Sequence, residues 1–99
     1  MPPRKRGTKF HGDLLMRLTL IYLARLREAL GLGNEQIELP DPCKVEDLVE
    51  KLRSRGGPWA IELATGRAVR VAVNQEMAAL SAVLRDGDEV ALFPPVTGG

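Results

Sequence analysis

The sequence is poor in aromatic side chains: two phenylalanines, one tryptophan and one tyrosine make up 4% of 99 residues, against an apolar fraction of 44%. Its core must therefore be built from Leu, Val and Ala, and the length suits one domain. Cysteine occurs once, as Cys43, which excludes an internal disulfide and fits a reducing compartment such as the cytoplasm. Histidine also occurs once, as His11. Neither residue has the neighbours or spacing that a metal site or a catalytic triad requires, so no metal is expected and both read as bystanders. No apolar run approaches the roughly 18 residues of a membrane span. Leu14-Leu15-Met16 is too short for a signal-peptide core and leads into an alternating pattern. An excess of one charge sign is missing as well, because 14 basic residues nearly balance 13 acidic ones and the net charge is only +1.

The placement of charge says more than its sum. Within residues 1–15, Arg4, Lys5, Arg6 and Lys9 face only Asp13, whereas residues 16–99 carry 10 basic and 12 acidic groups. The first fifteen residues also hold two prolines and two glycines and show no period. They read as a disordered basic leader, solvated rather than bound to nucleic acid, with Met16 as a possible biological start.

From Arg17 the chain alternates, with Leu18, Leu20 and Tyr22 on one face and Thr19, Ile21 and Leu23 on the other, as a strand of about eight residues. Ala24–Leu30 predicts a short helix that turns Leu26, Ala29 and Leu30 inward and is stopped by Gly31 and Gly33. Gln36–Leu39 reads as a second strand ended by Pro40-Asp41-Pro42. Lys44–Arg55 is the clearest helix, because Val45, Leu48, Val49 and Leu52 form one apolar stripe. Its acidic groups lie early and its basic groups late, which suits the macrodipole, but neither Cys43 nor Lys44 is a good N-cap. Trp59–Ala64 fits either a helical turn or a strand. Val69–Asn74 predicts a strand, Asn74–Glu76 a turn, Ala82–Leu84 an apolar stub, and Asp86-Gly87-Asp88 a tight turn into a last strand, Glu89–Phe93.

One amphipathic helix beside four or five strands is an α+β layout with a mixed sheet, and the helix can cover only one face. The first and last strands are expected to be neighbours. Ile21 and Leu23 would then join Ala91 and Phe93 in an apolar patch on the other face, of the kind that marks a partner surface unless a loop covers it.

After Phe93 comes Pro94-Pro95-Val96-Thr97-Gly98-Gly99. The prolines stiffen the chain and remove two N–H donors. Two glycines without Cβ atoms can enter a channel too narrow for other residues. Residues 94–99 are expected to be a flexible tail reaching at most about 20 Å, with the Gly99 carboxylate as its functional group. Residues 16–93 are expected to be the domain that holds it.

The block from Asp86-Gly87-Asp88 through Phe93-Pro94-Pro95-Val96-Thr97-Gly98-Gly99 resembles the C-terminal signature of molybdopterin synthase small subunits, which are sulfur carriers of the ubiquitin-like β-grasp family. Val71–Gln75 resembles that family's central strand and turn, and Ala24–Glu28 the segment after its first strand. The resemblance spans Arg17 to Gly99. The chain departs from the pattern in its leader, in Lys44 where threonine or serine is more usual, and in Leu23 where phenylalanine is more usual.

The resemblance implies that a ubiquitin-activating-type adenylyltransferase uses ATP to adenylate Gly99. A sulfur donor then converts it to a thiocarboxylate, and the tail threads into a large catalytic subunit. There the sulfur would build the dithiolene of molybdopterin from cyclic pyranopterin monophosphate, within a heterotetramer. No permanently bound cofactor, nucleic acid or membrane is implied, and the catalytic groups belong to the large subunit. A sulfur carrier for thiamine or cysteine synthesis and a ubiquitin-like protein modifier share the same tail chemistry.

Overall fold

Burial along the first strand follows its alternation. Met16, Leu18, Leu20 and Tyr22 are buried, Leu15 and Arg17 are exposed, and Thr19 and Ile21 are half-buried. The computed structural model describes residues 14–95. In chain order its elements are β1 (Leu15–Tyr22), α1 (Arg25–Leu30), β2 (Asn34–Pro40), β3 (Cys43–Lys44), α2 (Val45–Arg53), α3 (Pro58–Glu62), β4 (Arg70–Val73), β5 (Glu76–Met77), β6 (Val83–Leu84) and β7 (Glu89–Phe93).

Five strands form one mixed sheet in the order β2-β1-β7-β4-β5. Its central pair, β1 and β7, is parallel, with Leu20 opposite Val90 and Tyr22 opposite Leu92. The first and last strands are therefore neighbours, as the sequence predicts. The outer pairings, β1 with β2, β7 with β4, and β4 with β5, are antiparallel. A parallel pair needs a long crossover, and here the crossover supplies all three helices.

The buried residues form one cluster. Met16, Leu18, Leu20 and Tyr22 of β1, Val71 of β4 and Val90 and Leu92 of β7 meet Val45, Leu48 and Leu52 of α2, with Leu26 of α1 closing one end. No polar or charged residue is buried among the described residues. Burying a Leu or Val side chain is worth roughly 1.5–3 kcal/mol, so this apolar layer fixes the helix on one face of the sheet.

The weak N-cap of α2 has an unexpected remedy. The free N–H groups of Val45 and Glu46 donate to the carbonyls of Ala82 and Leu80, each at 2.9 Å, while the Asp47 carboxylate accepts the Lys44 N–H at 2.9 Å. The carbonyls of the loop before β6 thus take up two of the donors that a helix start leaves open. The same contact explains the apolar stub: Val83 and Leu84 pair with Lys44 and Cys43 in a second, two-stranded sheet that sequence periodicity does not show.

Other boundaries also differ from expectation. The helix expected over Lys44–Arg55 occupies Val45–Arg53, because Lys44 belongs to β3. Trp59–Ala64 contributes to a helix, α3, that starts at Pro58, a residue well suited to a first helical turn. At the N-terminal side, β1 takes in Leu15, and the Leu14 carbonyl accepts the Asp41 N–H at 3.0 Å. Ordered backbone therefore reaches ahead of the boundary expected at Met16. The rest of the expected leader, residues 1–13, lies outside the described residues.

Candidate functional site: the open sheet face and the root of the tail

The face of the sheet turned away from α2 carries the residues that the alternation leaves out of the core. The register aligns Ile21 with Ala91, Ala91 with Ala72, and Ala72 with Met77, so one apolar row crosses four strands. Ile21, Ala91 and Ala72 are half-buried and Met77 is 62% exposed. The next row begins at Leu23, whose N–H donates to the Leu92 carbonyl at 3.1 Å, and continues through Phe93 to Arg70. Phe93 is half-buried and Leu23 is 43% exposed. The four patch residues named from sequence, Ile21, Leu23, Ala91 and Phe93, thus share one face.

The structure adds Ala72 and Met77 to them. Ala72 was legible as the off-face partner in the Val69–Asn74 alternation. Met77 was not, because the short strand holding it exists only through the turn before it. Asn74 and Gln75 both take positive φ, 51° and 72°. The Asn74 side chain then joins that turn to the start of β7, accepting the Glu89 N–H at 3.0 Å and donating to Asp88 at 2.9 Å.

Pro94 and Pro95 follow β7 as half-buried residues and help to line a cavity of about 240 Å3 with Arg25, Leu26, Glu62 and Arg67. Glu62 accepts from both guanidinium groups, Arg67 at 3.0 Å and Arg25 at 3.5 Å. Sequence reasoning missed this trio, since Arg25 lies 37 residues from Glu62 in the chain. Val96, Thr97, Gly98 and Gly99 lie outside the described residues.

Behind the patch, a polar cluster secures the end of β1. The Tyr22 hydroxyl donates to Glu35 at 2.7 Å, and both terminal nitrogens of Arg55 donate to the same carboxylate at 2.8 and 3.1 Å. The Arg55 guanidinium lies 4.4 Å from the centre of the Trp59 ring, which meets Tyr22 edge-on at 5.4 Å. Burial raises the Tyr22 pKa well above its usual value, and the hydrogen bond to Glu35 adds to this. Burial alone would also raise Glu35, but the donors Arg55 and Tyr22 outweigh it and hold the carboxyl below its ordinary range.

Nothing here is a catalytic constellation. Cys43 is buried, and burial first, then the Asp47 and Asp41 carboxylates, push its thiol pKa up, which disfavours the nucleophilic thiolate. His11 lies outside the described residues. Among the described residues, no group of three or more His, Cys, Asp or Glu side chains could hold a metal ion. No helix among the described residues is long and apolar enough to cross a membrane. The arrangement can present a surface and aim a chain segment.

A mixed sheet with a parallel central pair, one main helix across a single face and a chain end leaving the central strand defines a ubiquitin-like β-grasp protein. The match to the ThiS family model runs over residues 20–99, and the chain belongs to that family. The molybdopterin synthase sulfur carrier subunit of Haemophilus influenzae is 39% identical over 82 residues, a stretch that covers 83% of this chain and 99% of that protein. The solved structure of a putative molybdopterin converting factor, subunit 1, from Pyrococcus furiosus superposes with a TM-score of 0.70 at 31% identity, covering 82% of this chain and 99% of that one. SAMP1 of Haloferax volcanii superposes with a TM-score of 0.67 at 27% identity, covering 84% and 99%.

Proposed function

We propose that this chain is the sulfur-carrying small subunit of a molybdopterin synthase. The observation that supports it best is the root of the tail: β7 is a central strand, its last residue Phe93 stands on the apolar face, and Pro94-Pro95 leads away from it in a chain of the ThiS family. The similarity to a molybdopterin synthase sulfur carrier subunit supports this role over that of other sulfur carriers.

The chemistry falls on Gly99. Its carboxylate attacks the α-phosphorus of ATP on an adenylyltransferase, giving an acyl adenylate and releasing pyrophosphate. A sulfur donor at the oxidation level of hydrosulfide then displaces AMP, breaking the acyl C–O bond and forming the C–S bond of a thiocarboxylate. The open face docks on a large subunit, and the slim Gly98-Gly99 end carries the sulfur to the cyclic pyranopterin monophosphate bound there. The carrier supplies no general acid or base. It contributes position, and the two prolines limit the entropy lost when the tail threads.

Incubation with ATP, an activating enzyme and a sulfur donor should change the C-terminal peptide mass by one oxygen-to-sulfur exchange. The loaded chain, mixed with the large subunit and the pterin precursor, should give molybdopterin. A mass that never changes would sink the proposal. A second reading, a protein modifier, is supported by the likeness to the small archaeal modifier protein SAMP1. It wins if Gly99 is found joined to lysines of other proteins and sulfur is never seen on it.

A further inference from the structure

The arginines at the root of the tail have no part in the chemistry above. Arg25 and Arg67 flank Glu62 in the cavity lined by Pro94 and Pro95. Their side chains are 64% and 42% exposed, whereas the Glu62 side chain is only 12% exposed. Each is held to Glu62 through one terminal nitrogen, Arg25 to Oε2 and Arg67 to Oε1. A guanidinium has five N–H donors, so Glu62 leaves most of them unused on two side chains whose positions the shared carboxylate restricts. Arg70 extends the group around the strand: it stands opposite Phe93 in the register, is exposed, and has no carboxylate within 4.0 Å among the described residues. Arg25, Glu62 and Arg67 thus lie beside Pro94 and Pro95, and Arg70 stands opposite Phe93, the residue before them, on a domain whose acidic groups otherwise outnumber its basic ones.

We infer that Arg25, Arg67 and Arg70 form a cationic collar that recognises a carboxylate-bearing rim on the large subunit, beside the channel that admits the tail. This rests on the function proposed above. The collar is continuous with the apolar patch, since Arg70 stands opposite Phe93 in the register. An acidic protein segment fits it because planar guanidinium groups pair with carboxylates two bonds at a time. Exposed charges at the border of an interface act mainly on the rate of encounter and on its salt dependence. Such steering suits a carrier that must dock, discharge and leave again to be reloaded.

The test is stopped-flow association of the full chain with the large subunit from its own genome, at low and at high ionic strength. The variants are Arg25→Glu/Arg67→Glu, Arg70→Glu and Arg25→Lys/Arg67→Lys, each checked by circular dichroism and melting temperature. The charge reversals should slow association by about tenfold at low salt and flatten its salt dependence, whereas the lysine variant should keep most of both. Arg70→Glu leaves the Glu62 pairs intact, so it reports on charge even if the double reversal unfolds. Association rates and salt slopes equal to wild type in Arg70→Glu and in whichever reversal folds would overturn the collar while leaving the sulfur-carrier role standing, provided that wild type binds and still yields molybdopterin. If wild type forms no complex with the large subunit, both the role and the collar fall.

Discussion

Ala24 adopts at the start of α1 the backbone conformation that Gly57 adopts at the start of α3. Their dihedrals are φ 54°, ψ −131° and φ 56°, ψ −136°. Each is the second residue of a turn closed by a backbone hydrogen bond of 3.1 Å, from Leu26 to Leu23 in one case and from Trp59 to Gly56 in the other. Glycine takes this conformation without steric cost, whereas the Cβ of an alanine is strained there. Ala24→Gly should therefore raise stability by about 1 kcal/mol, after the added freedom of the unfolded chain is subtracted. Urea titration checks it. A loss of stability would mean that the turn places no strain on Ala24.

The Tyr22–Glu35–Arg55 cluster predicts a sensitivity to acid. Glu35 has a depressed pKa in the fold, held down by Arg55 and Tyr22 against the effect of burial. Its contribution is present above the carboxyl pKa of the unfolded chain, about 4.3, and is lost as pH falls through the lower folded value. The raised Tyr22 pKa has the opposite sense: stability should decline once pH rises above about 10, where the unfolded chain ionises and the fold does not. Glu35→Gln should flatten the acid side of a stability-against-pH curve. Tyr22→Phe should flatten the alkaline side and cost about 1–2 kcal/mol at neutral pH. A curve unaltered by both changes would show that the cluster does not couple to folding.

Phe93 is the aromatic member of the open face. Phe93→Ala should weaken binding to the large subunit by about 2 kcal/mol, roughly thirtyfold, as loss of an interface anchor does. Leu23→Ala should lower affinity in the same direction by less, since Leu23 is already 43% exposed. Neither residue belongs to the buried core, so melting should change little. Titration calorimetry against the large subunit separates the two effects, and unchanged affinity in both variants would show that this face is not the docking surface.

Gly98→Val should abolish sulfur transfer without lowering stability, because the added side chain must pass the channel that admits the tail. Loading of Gly99 should be measured separately from molybdopterin formation, since either partner's channel could exclude the valine. Full activity of Gly98→Val in both assays would remove the reason for a glycine at that position.

Much of the fold was legible in the sequence wherever a period was long enough to show itself. The alternation of β1 named Leu18, Leu20 and Tyr22 of its buried face, though not Met16, and the Val45, Leu48 and Leu52 stripe named the helix that covers it. Glu89–Phe93 was legible to its ends, bounded by a glycine turn and two prolines. The small sheet of β3 and β6 was not legible, because two residues make no period and their pairing joins positions some forty apart in the chain. The start of α2 was legible as a poor N-cap at Lys44, but the acceptors that make up for it, the carbonyls of Leu80 and Ala82, were not, because no local pattern around Lys44 reveals them.

The sequence by itself determined four of the patch residues, Ile21, Leu23, Ala91 and Phe93, since alternation assigns faces. Only the tertiary structure decided that these faces become one surface. Placing β7 parallel to β1 aligns Ile21 with Ala91, and pairing β4 with β7 then sets Arg70 beside Phe93. It likewise brought Arg25 to the Glu62 and Arg67 stretch beside Pro94 and Pro95. The physical reason is that strand register and crossover path are fixed by burying the whole core at once, a global condition that no single stretch of chain contains.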